Sequence, residues 1–345
     1  MSTAELPIAK KGSNISTAPK RQIDWIPLAL APIMALAAMP FIGSTSTWLT
    51  LTLAGLAMGM IIFIIASGLT LIFGLMDVLN FGHGLFIAVG AYIAWTVFGV
   101  LPQEWITADS LALNIMAILI AMAAAMVVAG IVGWIFERVL VRKVYGLHLI
   151  QILITMGGMV VGEQLIMTIW GADMKPMMLP TTLNGSIIFM DAAIEKYRLF
   201  AVVIGLIVFA FLMLMLNRTK LGLLIRAGVQ DREMVESLGY RIKAMFVGVF
   251  VLGSALAGLG GVMWGLYQAG ITAQMGASIN VLLFIVIIIG GLGSTGGSFI
   301  GALLVGLLAN YAGFLTPKLN LVSTILLMVA ILVWRPNGLY KVTNR

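Results

Sequence analysis

Long apolar runs separated by short polar stretches set the pattern of this chain. The runs lie near 26–43, 49–76, 85–100, 111–135, 147–170, 199–216, 246–268, 279–291, 298–315 and 319–334. A helix that crosses the hydrocarbon core of a bilayer needs about 20 mostly apolar residues. The pattern predicts an all-α, polytopic transmembrane helical bundle of about ten membrane segments, some of them short or broken by glycine. The eighth run, 279–291, is too short to span comfortably. Two runs are punctuated by glycine elbows, Asn80-Phe81-Gly82-His83-Gly84 and Gly290-Gly291-Leu292-Gly293-Ser294-Thr295-Gly296-Gly297. Segments 68–95 and 283–309 therefore both read as helix pairs around an elbow, as transporter repeats do.

Composition agrees with a membrane solvent. Of 345 residues, 61% are hydrophobic and 10% charged, against about 45–50% and about 25% in soluble domains. Too few polar side chains remain to cover a water-facing surface. The absence of cysteine excludes disulfides, thiolate metal sites and cysteine nucleophiles.

The net charge of +7 does not call for nucleic acid, because the basic residues are sided. With alternating spans and an inside N-terminus, 16 Lys and Arg fall in inside loops and 4 outside. Basic residues concentrate on the cytoplasmic side, so both termini are expected there. Residues 1–25 read as a polar, disordered cytoplasmic leader. Two readings stand for the run that follows: an uncleaved first helix broken by Pro27, Pro32 and Pro40, or the core of a signal peptide ending near Ala35-Leu36-Ala37.

Chemistry of the enzymatic kind is missing. Gly291-Leu292-Gly293-Ser294-Thr295-Gly296 fits G-x-G-x-x-G, but the motif needs a preceding strand and a later acid, and no acid follows Glu236. No Walker A lysine loop occurs, and His83 and His148 have no partner at metal spacing. No catalytic residue, metal site or cofactor is expected.

The polar residues inside the runs carry the remaining information. Asp77, Asn80 and His83 stand at i, i+3 and i+6 near the inner end of the second run. They share a broad face if helical, while Gly82 and Gly84 favour an unwound end; such groups line a path or cap exposed backbone. Glu163, with Gln164 beside it, lies deep in the fifth run. An intramembrane acid must face protein or water, which leaves a structural glutamate or a path-lining one. The inside loop 217–245 contains an amphipathic helix over 222–238, with Leu223, Leu224, Ala227, Met234, Val235 and Leu238 as its apolar stripe and Gly239 as its C′ residue. It is either a solvated surface helix or a docking helix for a cytosolic partner.

Five stretches, taken in order, resemble the LivH-type permeases, the membrane subunits of ATP-driven (ABC) importers for branched-chain amino acids, with relatives that take urea and short amides. They are Val78 to Gly84, similar to N-F-A/G-H-G; Glu137-Arg138-Val139; Thr219 to Gly239, similar to R-x-G-x-x-x-R-A ending in L-G; Gly290 to Gly301; and Arg335-Pro336-Asn337-Gly338-Leu339. The leader and first helix before Leu49 exceed the family pattern, and Leu85 stands where some members carry an acid. The resemblance implies one permease domain over 26–345 in a bacterial inner membrane. It implies as partners a second homologous permease, two cytosolic ABC ATPases that bind the ATP, an extracytoplasmic binding protein and the surrounding lipid. Its motif supports Asn80 and His83 as path candidates, beside Glu163 and Gln164 from their own polarity, and it implies Thr219, Gly222, Arg226, Ala227, Asp231, Leu238 and Gly239 as the ATPase-coupling segment. The alternative readings are a urea or short-amide ABC permease and an ion-coupled secondary transporter that uses Glu163.

Overall fold

The computed structural model describes residues 25–189, 191–230 and 232–340. The leader falls outside the described residues apart from Trp25. Thirteen α-helices occur among the described residues: α1 (Ile26–Ile42), α2 (Thr45–Met76), α3 (His83–Val100), α4 (Glu104–Thr107), α5 (Leu111–Val139), α6 (His148–Trp170), α7 (Lys196–Arg218), α8 (Lys220–Gln230), α9 (Arg232–Ser237), α10 (Ile242–Gln268), α11 (Met275–Gly290), α12 (Thr295–Leu315) and α13 (Asn320–Trp334). Eight spans are long and apolar enough to cross a membrane; α1 and α11 are shorter. Three short 3-10 helices (Val141–Val144, Thr181–Leu183 and Pro317–Leu319) and two small antiparallel strand pairs complete the described elements. β1 (Lys175–Pro176) pairs with β4 (Gly270–Ile271), and β2 (Ser186–Phe189) pairs with β3 (Ala192–Glu195).

Apolar on every side, α2 is the central helix; every residue from Gly59 to Phe73 is buried. Antiparallel to it runs α12, held by Thr52 to Tyr311 at 2.7 Å near one end and Thr70 to Ser298 at 2.7 Å further along. Between these hydroxyl pairs Phe63 meets Phe299 edge-on, with centroids 5.2 Å apart. Hydroxyls paired across helices leave no polar group facing hydrocarbon. By contrast, α6, α7 and α13 bury only one narrow side each. α1 is continuous, which corrects the expectation of a broken helix: Pro27 occupies its first turn, and Pro32 and Pro40 lie inside it. Membrane helices tolerate proline because neighbouring groups satisfy the freed carbonyls.

The end of the bundle that carries Arg138–Lys143 and Arg218–Lys243 is the basic end. At this end α2 stops at Asp77, in the left-handed conformation at φ 55°. The chain then turns back along α2. His83, the first residue of α3, places Nε2 at 3.1 Å from the Ile65 carbonyl oxygen. Ile65 lies 76 − 65 = 11 residues before the end of α2, roughly 17 Å at the helical rise. So α3 begins near mid-height and runs to the far end, where Trp95 donates to the Pro176 carbonyl at 3.1 Å. The chain repeats the device in the opposite sense. α10 climbs to the far end, residues 269–274 return through β4, and α11 starts beside α3 and runs to the basic end. Gly84 and Gly276, each the second residue of its helix, bring their backbones together: a Cβ on Gly276 would overlap the Gly84 carbonyl oxygen.

The two returns, 77–82 and 269–274, correspond under inversion. The glycine elbow at 291–294 is different, because it turns at the basic end, with Gly293 against Gly74. The likeness expected between 68–95 and 283–309 therefore pairs the wrong segments. Hydropathy reports that a chain turns, not the depth at which it does so.

Overfilling the Gly84 and Gly276 contact should loosen the bundle. Gly276→Val is expected to destabilise the purified protein by at least about 1–3 kcal/mol, since the obstacle is backbone and cannot rotate away. Gly296→Ala, where nothing lies within 4 Å, is the control and should unfold like wild type. Thermal unfolding in detergent reads both, and equal Tm values for the two variants would refute the packing account.

Candidate functional site

Residues 77–84 hold the first group of sequence-predicted candidates; 77–82 form an unwound return, and His83 opens α3. Asp77, Asn80 and His83 therefore do not share a helical face. Asp77 stays half-exposed at the basic end, its Oδ2 3.8 Å from His148 Nε2 at the start of α6. Asn80 and His83 are fully buried. The Asn80 side chain closes the turn locally, its Oδ1 accepting the Gly82 N–H at 3.0 Å. Phe81 is tied on both sides: its N–H donates to Thr155 Oγ1 at 3.1 Å and its carbonyl accepts Asn280 Nδ2–H at 2.8 Å. Its ring stacks on Phe284 with centroids 4.4 Å apart.

The return is thus pinned between α6 and α11, and its backbone groups find side-chain partners in place of helical ones. Such pairing lets irregular backbone survive at membrane depth. Because the Ile65 carbonyl can only accept, His83 Nε2 carries a proton. Several side-chain atoms nearby remain unsatisfied. Asn80 Nδ2, His83 Nδ1, Asn280 Oδ1 and Glu163 Oε1 are all buried without a hydrogen-bond partner. A native interior pairs nearly all such atoms, so these four stand out.

Both helices that begin here point their N-termini at the junction. Neither carries a side-chain cap. Aligned peptide dipoles put partial positive charge at each start, so two positive ends meet at mid-height beside polar side chains. The half-helix arrangement of transporters has this form, with the irregular backbone buried in protein.

Glu163 sits on the flank of α6 that faces α11, half-buried; Gln164, one residue on, is exposed on the outer side of α6 and does not join the cluster. Asn80 and His83 therefore belong to the return and the start of α3, Glu163 lies on the neighbouring flank of α6, and Gln164 stands apart. Sequence reasoning missed Asn280, Thr155 and Phe284. Asn280 was discoverable, being the one strongly polar side chain within the apolar stretch 279–291, as Glu163 is the one acid in its own run.

At the basic end, Thr219 caps α8: its Oγ1 accepts the Gly222 N–H at 3.2 Å, while its hydroxyl donates to the Met215 carbonyl at 2.5 Å. Gly222 lets α8 fold back on α7, because a Cβ there would overlap the Leu216 carbonyl. The loop is helical over Lys220–Gln230 and Arg232–Ser237; Asp231 lies outside the described residues, as does the Arg226 side chain. Gly239 takes φ 86° and closes a Schellman turn, with Tyr240 N–H bonded to the Val235 carbonyl at 3.3 Å and Gly239 N–H to Glu236 at 3.0 Å. The expected apolar stripe divides. Val235 is buried, and Leu224 and Ala227 are half-buried. Leu223, Met234 and Leu238 stand exposed, with Tyr240 beside them.

The two other stretches singled out in the sequence are structural at this end. Glu137 is buried and accepts the Tyr145 hydroxyl at 2.6 Å. Segment 335–340 closes α11: Leu339 N–H bonds to the Ile289 carbonyl at 2.8 Å and Tyr340 N–H to Gly290 at 3.1 Å. Arg335 Nη1 holds the segment in shape by donating to the Leu339 carbonyl at 3.1 Å.

Known proteins resemble this chain along most of its length. The family profile for the branched-chain amino acid transport system permease component matches residues 51–333. The high-affinity branched-chain amino acid transport system permease protein BraD of Pseudomonas aeruginosa is 29% identical over 83% of this chain and 93% of its own. LivH of Escherichia coli K12, named in the same way, is 25% identical over 83% and 92%. A probable LivH of Methanocaldococcus jannaschii is 25% identical over 80% and 87%. No solved structure matches the chain. A polytopic helical bundle with two helices starting head to head at mid-height, matched along most of its length, is a multi-pass membrane protein of the branched-chain amino acid permease component family.

Proposed function

We propose that this chain is the permease subunit of an ABC importer for branched-chain or other hydrophobic amino acids. The junction of α3, α6 and α11 forms its half of the path. The observation that carries the reading is the meeting of two helix N-termini at mid-height beside the unpaired atoms of Asn80, His83, Asn280 and Glu163. Partial positive charge there suits a carboxylate, and the apolar surroundings of Phe81, Met159 and Phe284 suit an aliphatic side chain. The relatives' names support the substrate class.

In this reading a second, homologous permease covers the exposed side of α6 and α11, and an extracytoplasmic protein delivers substrate to the far end. Two cytosolic ATPases dock at the basic end against Leu223, Met234, Leu238 and Tyr240. Both termini face the cytoplasm of a bacterial inner membrane. ATP-driven closure of the ATPases moves the α8–α9 segment. Because α10 follows directly after Gly239, the motion passes along it toward residues 269–274 and the start of α11. Rigid elements with two arrangements are what such coupling requires.

Three outcomes are expected. Tags at residues 230 and 345 report from the inside of intact cells and a tag near residue 180 from the outside; external access to residue 230 would overturn both sidedness and docking. Uptake into proteoliposomes that hold the complete complex requires ATP, and a non-hydrolysable analogue does not replace it. Equal uptake with both nucleotides would favour an ion-coupled transporter that uses Glu163. Gly239→Val forces a β-branched residue into the left-handed region, at about 1–3 kcal/mol of strain, and Leu238→Glu places charge in the proposed contact. Both variants should insert normally yet lose most of the ATPase on co-purification. Wild-type recovery of the ATPase with both would refute the coupling assignment.

A further inference from the structure

Two buried hydrogen-bond acceptors, one on α11 and one on the α6 flank beside it, have no donor. Asn280 is 7% exposed, and both of its amide hydrogens are directed. Nδ2 is 2.8 Å from the Phe81 carbonyl oxygen and 3.5 Å from Met159 Sδ, so Oδ1 is the end left bare. Glu163 follows Met159 by four residues on α6, which puts it one turn along on the same flank. One turn further, Met167 Sδ lies 4.0 Å from Gln274 Nε2. Glu163 is therefore held between two rungs that join α6 to α11, level with the first turns of α11 between Gln274 and Asn280. Its Oε1 is buried and has no partner either. Between the rungs α11 offers Glu163 no polar side chain: Ala277 has none, and the Ser278 hydroxyl turns back to the Met275 carbonyl at 2.8 Å.

The chemistry of a complement can be narrowed. Two such acceptors, one a carboxylate, call for a compact cation that donates several hydrogen bonds. A calcium ion takes six to eight oxygen ligands, and no group of three His, Asp or Glu able to hold a metal exists among the described residues. No Lys or Arg salt bridge to Glu163 occurs among them. A protonated primary amine offers three donors on a small head and fits both acceptors.

We propose that Glu163 and Asn280 bind a protonated primary amine at mid-height during transport, and that this amine is the α-ammonium of the substrate. The proposal rests on the amino-acid importer reading and adds to it the group that distinguishes an amino acid from an amide or a simple acid. The stacked Phe81 and Phe284, with Val281 exposed beside them, lie where an aliphatic side chain attached to that ammonium would rest. A lysine from the second permease is the other source of the same chemistry.

The test uses the complete importer, with both permeases, the ATPases and the binding protein, in proteoliposomes with leucine as the probe. Glu163→Gln keeps the shape and removes the charge; Glu163→Asp keeps the charge on a shorter arm and leaves the Asn280 tie to Phe81 intact. Glu163→Gln should lower ATP-driven leucine uptake at least about tenfold, as loss of one side of a buried charged pair does, with both permeases still co-purifying. Glu163→Asp should retain several times the uptake of Glu163→Gln, since the charge that meets the ammonium is kept. Uptake by Glu163→Gln within about twofold of wild type would overturn the proposal, as would Glu163→Asp no better than Glu163→Gln. Loss of the second permease from the Glu163→Gln complex would assign the amine to a lysine of that subunit and overturn the substrate assignment. If Glu163→Gln does not insert, Glu163→Asp decides: activity supports the site and inactivity sinks it. Failure of both to insert would give the two acceptors a folding role instead. A wild-type complex that takes up no leucine with ATP would reject the importer reading itself, whatever the variants do.

Discussion

Contact between the Gly84 and Gly276 backbones is the constraint on which the other features depend. Neither helix could begin at mid-height if a side chain stood between them, and neither return could close. Starting a helix inside the bundle leaves its first N–H groups without intrahelical partners and without water. The surrounding chain answers this with Thr155, Asn280 and the Asn80 side chain, which take up the polar groups of the 80–82 backbone. Polarity concentrated at this depth is thus first a requirement of the fold. The atoms left over after that requirement has been met are the ones available to a ligand.

The junction and the basic end are mechanically continuous. α11 runs from Gly276 to Gly290 with no intervening break, and its last carbonyls are held by residues 339 and 340. α10 connects the Schellman turn at Gly239 to the return at 269–274 and crosses both α2 and α3 by backbone contact, at Gly253 against Gly68 and Gly258 against Gly90. Helices that touch through backbone cannot re-pack by small rotamer changes; they move as bodies or not at all. Within the importer reading, this rigidity is what lets a displacement at one end be felt at mid-height.

Much of this was legible in the sequence, and the limits have physical causes. All ten apolar runs became helices, because in hydrocarbon the backbone has no other way to pair its groups. Gly239 was readable because glycine just after an amphipathic run has one favoured use, the left-handed C′ position. The depth of the 77–82 return was not readable: an unwound stretch has the same composition at the membrane surface and at its centre. The glycine-rich 290–297 run therefore attracted attention as a repeat partner, while the true counterpart, 269–274, carries only one glycine. Glu163 stood out as a charge in an apolar run. Asn280, neutral and alone, did not, although it makes the contact that joins α11 to the return. The division of the 222–238 stripe into buried and exposed residues was hidden too, since periodicity marks an apolar face without saying what covers it.

The closure of α11 by segment 335–340 bears on biogenesis. The carbonyls of Ile289 and Gly290 receive their N–H partners from Leu339 and Tyr340, which the ribosome makes 339 − 289 = 50 residues later. Until then α12 and α13 have to enter the bilayer beside a half-length helix whose lower end is not yet held. Completion of the α11 end is accordingly a late event in synthesis, and a permease halted before residue 339 would carry every span while lacking the clasp on its shortest inner helix.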